Sequence, residues 1–295
     1  MKHLAVFTGP KIKKLYADVP PEEIRKFREF CDAYPYRHIT HAGIEWPYLA
    51  SSGAGTPLLI LSGALTHPDV SWQSISHFGA KSRVLVPAYP AVRTMDGLCD
   101  GIAAILRHEG MENAHVMGGS YGGFVAQVFV RRFPTLARSL ILSHTGAPDS
   151  AGLEKTRSMW KKMSLLPTAV LRWIVGRALG KLKPADTASP AALFLLAMFH
   201  EALHHHLAKA DLLAIMDRTL DFYARNFTAQ DLAGWPGKIL LVLADDDPAS
   251  PEKVRTALQT LYPGARLHVF HGTGHITAVT NQTEYLAVMD EFLGF

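Results

Sequence analysis

The sequence predicts an α/β protein in which a mostly parallel central sheet is flanked by helices and carries an all-helical cap insertion. Short apolar runs alternate along the chain with stretches of helical periodicity, as they do in proteins with parallel sheets. One run, at 57–61, is apolar throughout, which is typical of a strand buried on both faces. This strand pattern stops between Pro148 and Pro236, where only helical periodicity continues.

The chain begins with a helical lead-in that we assign to residues 1–37. Two prolines and two glutamates at 20–23 open a helix in which Ile24, Phe27 and Phe30 share one side. We expect this helix to end before the next proline and to pack on the main body of the protein.

The strands and helices of the main domain follow in order. Strands are predicted at 39–44, 45–50, 57–61, 83–87, 114–117, 139–143, 238–244 and 266–270, and helices at 95–108, 121–133, 251–261 and 283–293. We therefore expect one α/β domain made of residues 38–148 and 236–295.

Residues 149–235 are expected to form the cap. Helices are predicted at 169–182 and 191–204, and both contain more apolar residues than a surface helix needs. The surplus predicts packing of these helices on one another and on the main domain. The alternative is that some of them line a tunnel for an acyl chain.

Composition is that of a globular protein, with 48% hydrophobic and 19% charged residues among 295. The net charge of +4 is small and the basic residues are interspersed with acidic ones, so we expect no nucleic-acid partner. The basic segment 155–162 is expected to be a solvated helix face, with weak attraction to a membrane as the alternative.

The two cysteines, Cys31 and Cys99, form neither a disulfide framework nor a metal-spaced cluster, which favours a reducing compartment. The amino terminus lacks the apolar stretch of a signal peptide, and no window approaches the roughly 18 apolar residues of a membrane-spanning helix. We expect a cytoplasmic protein without stable membrane insertion, either a monomer or a homodimer.

A candidate nucleophile follows the fifth predicted strand and leads directly into a helix. The motif Gly118-Gly119-Ser120-Tyr121-Gly122 matches G-x-S-x-G. A serine held in such a sharp turn needs Gly118 and Gly122, because the backbones before and after it pass close together. The turn exposes the Ser120 hydroxyl at a helix amino terminus, where N–H groups favour a developing negative charge.

Three carboxylates follow the apolar strand at 238–244, and we choose Asp247 as the acid that would orient a catalytic histidine. Pro248 and Pro251 stiffen its turn. We expect Asp245 and Asp246 to be solvated.

The candidate base is His275, which lies after the last predicted strand in His271-Gly272-Thr273-Gly274-His275. A loop histidine next to glycine can reach between a serine and a carboxylate. His271 is the alternative, but it lies at the strand end, too early for this role. The order serine, acid, histidine is the order expected for a triad in this type of sheet.

A second motif, His200-Glu201-Ala202-Leu203-His204, matches the H-E-x-x-H pattern of zinc proteases. A catalytic zinc needs a third protein ligand. The positions at which the extended motif has a glycine and a third histidine hold leucine and alanine. We therefore expect no metal site and no cofactor.

Taken together, these motifs are similar to those of the α/β-hydrolase superfamily over about residues 38–295. The resemblance rests on Leu61-Ser62-Gly63-Ala64, the Ser120 motif, the Asp247 turn and Gly274-His275. A weaker resemblance, to maspardin-type proteins, rests on Tyr89-Pro90, Cys99-Asp100-Gly101 and the Ser120 segment. Many superfamily members have histidine where this chain has Ser62, so the support of the neighbouring loop is expected to differ.

The resemblance implies that Ser120 attacks an acyl carbonyl, that His275 is the base and that Asp247 orients it. It also implies an oxyanion hole formed by the backbone N–H groups of Ala64 and Tyr121. Because some lipases of this fold take the acid from the preceding strand, Asp149 is the alternative acid.

The function predicted from these residues is hydrolysis of small hydrophobic carboxylic esters through an acyl-enzyme. Thioesterase, amidase, lactonase and carbon–carbon bond hydrolase activities on the same triad are alternatives. A binding or adaptor protein of the maspardin type, without catalysis, is a further alternative.

Overall fold

The computed structural model describes residues 1–4, 10–151, 153–182 and 187–295. It contains an eight-stranded sheet in the order β1-β2-β4-β3-β5-β6-β7-β8. The strands are β1 (Arg37–His41), β2 (Ile44–Ala50), β3 (Leu58–Leu61), β4 (Val84–Pro87), β5 (Ala114–Gly119), β6 (Ala137–Ser143), β7 (Lys238–Ala244) and β8 (Arg266–Phe270). β2 pairs antiparallel with β1 and β4, and the other pairs are parallel. The predicted fold class is confirmed.

The first two strands divide differently from the prediction, which placed the break between residues 44 and 45. Ala42 and Gly43 both adopt positive φ, at 51° and 76°. Two consecutive residues of this kind make the tight turn that matches the twist of a β-hairpin. The turn ends β1 at His41 and starts β2 at Ile44.

Helices surround the sheet. They are α1 (Pro10–Leu15), α2 (Pro21–Ala33), α3 (Trp72–Gly79), α4 (Met95–His108), α5 (Tyr121–Arg132), α6 (Leu153–Met163), α7 (Thr168–Gly180), α8 (Pro190–Glu201), α9 (Lys209–Tyr223), α10 (Glu252–Leu261), α11 (Thr277–Thr280) and α12 (Gln282–Leu293). A π-helical turn, Ala202–His206, extends α8. The prediction missed α1, α3 and α11, and it gave α9 no range of its own within the helical region.

Both faces of the sheet are buried, as β3 demonstrates. Leu58 and Ile60 pack in a core with α3 and α12, whereas Leu59 and Leu61 pack in a second core with α4, α5 and α10. A strand buried on both sides has no reason to alternate polar and apolar residues, which explains its continuous apolar sequence.

The amino-terminal helix α2 packs on the body of the protein through its apolar side. Phe27 is fully buried, and its ring lies 5.8 Å from that of Trp72 and 5.3 Å from that of Phe194. Trp72 begins α3 and Phe194 lies on α8. The lead-in therefore contacts both the main domain and a helix of the predicted cap.

All regular elements described between β6 and β7 are helical. Within the described ranges, no helix is long and apolar enough to cross a membrane. The carboxyl ends of the parallel strands β3, β5, β7 and β8 meet at one edge of the sheet, and the loops that follow them carry the residues considered next.

Candidate active site

Ser120 lies in a strained turn between β5 and α5. Its backbone has φ 51° and ψ −123°, which an L-residue rarely adopts. The Ser120 N–H donates to the carbonyl oxygen of Ser143 over 2.9 Å, and the Thr145 hydroxyl donates to the Ser120 carbonyl over 2.8 Å. These contacts hold the turn to the end of β6.

The two motif glycines allow close backbone contacts around this turn. A Cβ atom on Gly118 would lie 2.2 Å from the carbonyl oxygen of Gly122. One on Gly122 would lie 2.0 Å from the carbonyl oxygen of Leu61. Both distances are too short for real atoms, so each position requires glycine. Gly119 is different, since its nearest neighbour would be the Ser143 oxygen at 3.7 Å.

The structure brings Ser120, His275 and Asp247 together. His275 Nε2 lies 3.0 Å from Ser120 Oγ, and His275 Nδ1 lies 2.9 Å from both carboxylate oxygens of Asp247. An Nδ1–H that donates to the carboxylate leaves Nε2 able to accept the serine proton. This is the geometry that activates a serine nucleophile.

Asp247 is held as a carboxylate inside the protein. Its side chain is fully buried, and burial opposes its charge. The hydrogen bond from His275, the charge of that ring and the Ala249 N–H, which donates over 2.8 Å, outweigh burial and lower the pKa of Asp247. The carboxylate can therefore orient His275 and stabilise its cation.

A second histidine, His144, lies behind the first. Its ring packs edge-on against that of His275, with centroids 5.9 Å apart. Its Nε2 lies 2.7 Å from the Thr277 hydroxyl and its Nδ1 lies 2.8 Å from the Ser143 hydroxyl. Burial lowers the pKa of His144 to about 4, so this ring is neutral at neutral pH. Neither His144 nor Thr277 was predicted, because no motif marks them.

Two aspartates that were expected to be solvated are indeed exposed, and they also hold the histidine loop. Asp245 Oδ1 accepts the Gly272 N–H over 3.1 Å, and Asp246 Oδ1 accepts the Gly274 N–H over 2.9 Å. The alternative base His271 is exposed and pairs with Asp245 over 2.7 Å. Asp245 and Asp246 therefore fix the backbone that carries His275.

The alternative acid Asp149 lies away from the histidine. Its carboxylate accepts the Ala151 N–H over 2.8 Å and lies 4.0 Å from Lys253 Nζ. More than half of its side chain is exposed. Asp149 therefore has the contacts and exposure of a solvated loop residue.

The predicted oxyanion donors lie on two sides of the Ser120 turn. Tyr121 is the first residue of α5, where a backbone N–H has no partner within the helix. Ala64 follows β3 in a turn closed by the Thr66 N–H, which donates to the Gly63 carbonyl over 2.9 Å. The β3 end packs against Gly122, so this loop adjoins the serine turn.

Tyr89, to which the sequence analysis assigned no role in the site, supports the Ala64 loop. The Tyr89 hydroxyl donates to the Ser62 carbonyl oxygen over 3.1 Å, and Tyr89 is almost completely buried. Burial raises the pKa of Tyr89 well above its usual value, so the hydroxyl keeps its proton. The Ser62 hydroxyl itself is buried and has no hydrogen-bond partner in the described parts of the chain.

The helical segment between β6 and β7 reaches the same region through Arg218 of α9, which is 1% exposed. Its Nη1 donates to the Pro90 carbonyl over 3.2 Å, and its guanidinium carbon lies 5.7 Å from the ring centroid of Tyr89 and 5.8 Å from that of Tyr121. Arg218 thus connects α9 to the loop after β4 and to the residue after Ser120. A lone arginine in a helix gives no such signal in sequence.

The H-E-x-x-H glutamate is a buried packing residue. Glu201 Oε2 accepts the Tyr16 hydroxyl over 2.6 Å, and Glu201 Oε1 lies 3.3 Å from His206 Nε2. Over the ranges that the structure describes, no three histidine, cysteine or acidic side chains are arranged to bind a metal ion. Glu201 therefore ties the lead-in to the end of α8.

A comparison of the whole chain with known protein families points to the same fold as the structure. The family model described as "Alpha/beta hydrolase family" matches residues 40–288. The chain belongs to the alpha/beta hydrolase family. The resemblance to the α/β-hydrolase superfamily that was inferred from the motifs is confirmed.

Among curated relatives, the chain is 26% identical to 2-hydroxymuconate semialdehyde hydrolase of Pseudomonas sp. strain CF600, over 87% of this chain and 93% of that protein. Among solved structures, it is similar to a thermophilic esterase from Thermogutta terrifontis, with a TM-score of 0.70, 20% identity and coverage of 88% and 97%. It is also similar to a meta-cleavage product hydrolase from Pseudomonas fluorescens IP01, with a TM-score of 0.67, 19% identity and the same coverage. These alpha/beta hydrolases have the same fold and different named activities.

Proposed function

We propose that the protein is a serine hydrolase that cleaves small hydrophobic carbonyl substrates, with carboxylic esters as the first class. The observation that carries this proposal is the continuous set of contacts from Ser120 Oγ through the His275 ring to Asp247. A buried carboxylate, a correctly oriented imidazole and a strained serine are the parts that acyl transfer requires.

In the proposed reaction, Ser120 Oγ bonds to the substrate carbonyl carbon and its proton passes to His275 Nε2. The carbonyl oxygen becomes an oxyanion. When this tetrahedral intermediate collapses, the bond from the carbonyl carbon to the alcohol oxygen breaks, and His275 gives the proton to the alcohol oxygen. Water then gives a proton to His275 and attacks the acyl carbon, and the bond from that carbon to Ser120 Oγ breaks. His275 returns the proton to Ser120 Oγ, which releases the acid and restores the serine.

The oxyanion would be held by the backbone N–H groups of Tyr121 and Ala64. One such donor contributes about 3 kcal/mol to transition-state stabilisation in enzymes of this kind. Tyr89 supports the Ala64 loop through the Ser62 carbonyl, while α5 fixes the Tyr121 N–H.

A panel of p-nitrophenyl esters of increasing acyl length tests the proposal. Wild type is expected to turn over at least one ester, and Ser120→Ala is expected to lose that activity while it keeps its fold. Activity retained in folded Ser120→Ala would contradict the proposal. A folded wild type that turns over nothing would favour the binding or adaptor alternative.

Cleavage of a carbon–carbon bond next to a carbonyl is the second candidate. It is supported by the curated relatives, which include 2-hydroxymuconate semialdehyde hydrolase and, at 22% identity, 2-hydroxy-6-oxo-2,4-heptadienoate hydrolase of Pseudomonas putida. The same triad serves this reaction if the leaving group is a carbon acid. Measuring kcat/KM for 2-hydroxy-6-oxo-2,4-heptadienoate beside the ester panel separates the candidates, since the natural class should give the larger value.

A further inference from the structure

The cap helices α6 and α7 expose large apolar side chains to solvent. Leu165, in the turn between them, is 82% exposed, Trp173 is 61% exposed and Met159 is 50% exposed. Val170 is exposed as well. Such side chains are normally scattered singly over a surface, whereas here four occur between residues 159 and 173.

The same helical pair carries a concentrated positive charge. Residues 153–182 contain seven basic residues and one acidic residue, a formal charge of +6, whereas the whole chain has +4. The rest of the chain therefore has a net negative charge. The basic residues are more concentrated in this segment than the small net charge of the whole chain indicated. The basic residues are Lys155, Arg157, Lys161, Lys162, Arg172, Arg177 and Lys181, and the acidic residue is Glu154.

On α7, two exposed apolar side chains and one basic side chain share a face. Val170, Trp173 and Arg177 are spaced by three and four residues, and the Arg177 guanidinium lies 5.3 Å from the Trp173 ring centroid. Leu171 points the other way and is 1% exposed. One side of α7 is therefore anchored in the protein, while the other presents an aromatic ring beside a cation.

A cavity opens beside Trp173 between α7 and α8. Its volume is about 600 Å³, and its apolar lining includes Leu179, Phe199 and Leu203. Arg172 and Arg177 also line it. An apolar space bordered by cations fits an acyl chain that carries an anionic headgroup.

We propose that α6, α7 and their connecting turn dock on the surface of an anionic phospholipid bilayer. The basic side chains contact lipid phosphates, and Leu165 and Trp173 enter the boundary between headgroups and acyl chains. Trp favours this depth, and Lys and Arg near an anionic leaflet each add attraction. Docking of this kind is peripheral and needs no membrane-spanning helix. It is independent of the proposed function, because it does not require Ser120.

Vesicle co-sedimentation of the full chain tests this proposal. Vesicles of phosphatidylcholine with phosphatidylglycerol are expected to retain the protein, vesicles of phosphatidylcholine alone much less, and high salt should weaken retention. Two double variants, Lys161→Glu with Lys162→Glu and Leu165→Gln with Trp173→Gln, should each reduce binding about tenfold or more.

Matched controls alter exposed residues of the α/β domain. Lys238→Glu with Lys253→Glu makes the same change in net charge, and Leu267→Gln removes an apolar side chain that is 44% exposed. Both should bind as wild type does, and circular dichroism should show that every variant is folded. Absence of wild-type binding to the anionic vesicles, equal binding to both vesicle types, or equal loss in the controls would overturn the proposal.

Discussion

The Tyr89 hydroxyl donates a hydrogen bond to the Ser62 carbonyl oxygen over 3.1 Å, and so connects the loop after β4 to the loop after β3. That second loop carries Ala64, one of the two proposed oxyanion donors. The contact lies where many superfamily members use a histidine next to the oxyanion residue. We therefore propose that Tyr89 positions the Ala64 N–H.

Tyr89→Phe removes this hydrogen bond and little volume. We expect kcat for the best ester to fall about tenfold, because the Ala64 donor loses its fixed direction, with a smaller change in KM. Tyr48→Phe is a matched control, since the hydroxyl of the buried Tyr48 donates to Glu109 at the end of α4 and not to the loop that carries Ala64, so its loss should leave kcat unchanged. Equal kcat in wild type and Tyr89→Phe would contradict the positioning role.

Gly122→Ala and Gly119→Ala form a second matched pair. The new Cβ at 122 would lie 2.0 Å from the Leu61 oxygen, whereas at 119 its nearest neighbour would be at an ordinary 3.7 Å. Thermal unfolding should show Gly122→Ala destabilised by about 3 kcal/mol or more, the cost of forcing backbone apart, and Gly119→Ala close to wild type. A stable Gly122→Ala would mean that the β3 end can move away from the turn.

The elements that the sequence predicts well are those with a strong local signal. β3 and residues 239–244 of β7 are continuous apolar runs, and Gly118 and Gly122 mark the serine turn because only glycine fits there. The helix α3 was missed because its residues follow a proline and aspartate turn and are held by contacts with distant parts of the chain. Trp72, for example, packs on Phe27 and Phe194.

The acid is tested by two further variants. Asp247→Asn should keep the fold and reduce kcat roughly ten-thousand-fold, because an amide no longer holds the His275 tautomer or stabilises its cation. Asp149→Asn should be nearly silent, since that side chain contacts only Ala151 and Lys253 among its described partners. Ester turnover checks both, and inactivity of Asp149→Asn with activity of Asp247→Asn would reverse the assignment.

Stability should depend on buried neutral histidines. Burial lowers the pKa of His67, His115 and His144 to about 4, from an ordinary value of 6.5. Between these values the unfolded chain binds protons that the folded chain does not. The free energy of unfolding should therefore decrease as the pH falls from about 6.5 to about 4. Above pH 6.5 these histidines should cost the folded protein no stability.

His115 isolates this effect away from the serine, since its Nδ1 lies 2.7 Å from the Ser139 hydroxyl at the opposite end of the sheet strands. His115→Gln should reduce the dependence of the unfolding free energy on pH by about one proton in this range. Urea unfolding at a series of pH values measures it. An unchanged slope would mean that His115 is protonated in the folded protein.

Part of the candidate site has no signal in the sequence. Ser120, Asp247 and His275 stand in recognisable motifs, whereas Tyr89, His144 and Arg218 reach the site only through tertiary packing. Asp245 and Asp246 follow β7, but the N–H groups that they accept lie in the loop after β8. The sequence around the two aspartates does not show where that loop runs. The roles of such residues can be identified only when the structure shows which distant loops contact each other.

The central claim is that Ser120 is activated by His275, and covalent labelling tests it most directly. A fluorophosphonate probe bonds to a serine only where a base has made it nucleophilic. After digestion, mass spectrometry of wild type should locate the adduct on Ser120 alone, and His275→Ala should abolish labelling. Folded wild type that remains unlabelled, or an adduct on another residue, would contradict the account.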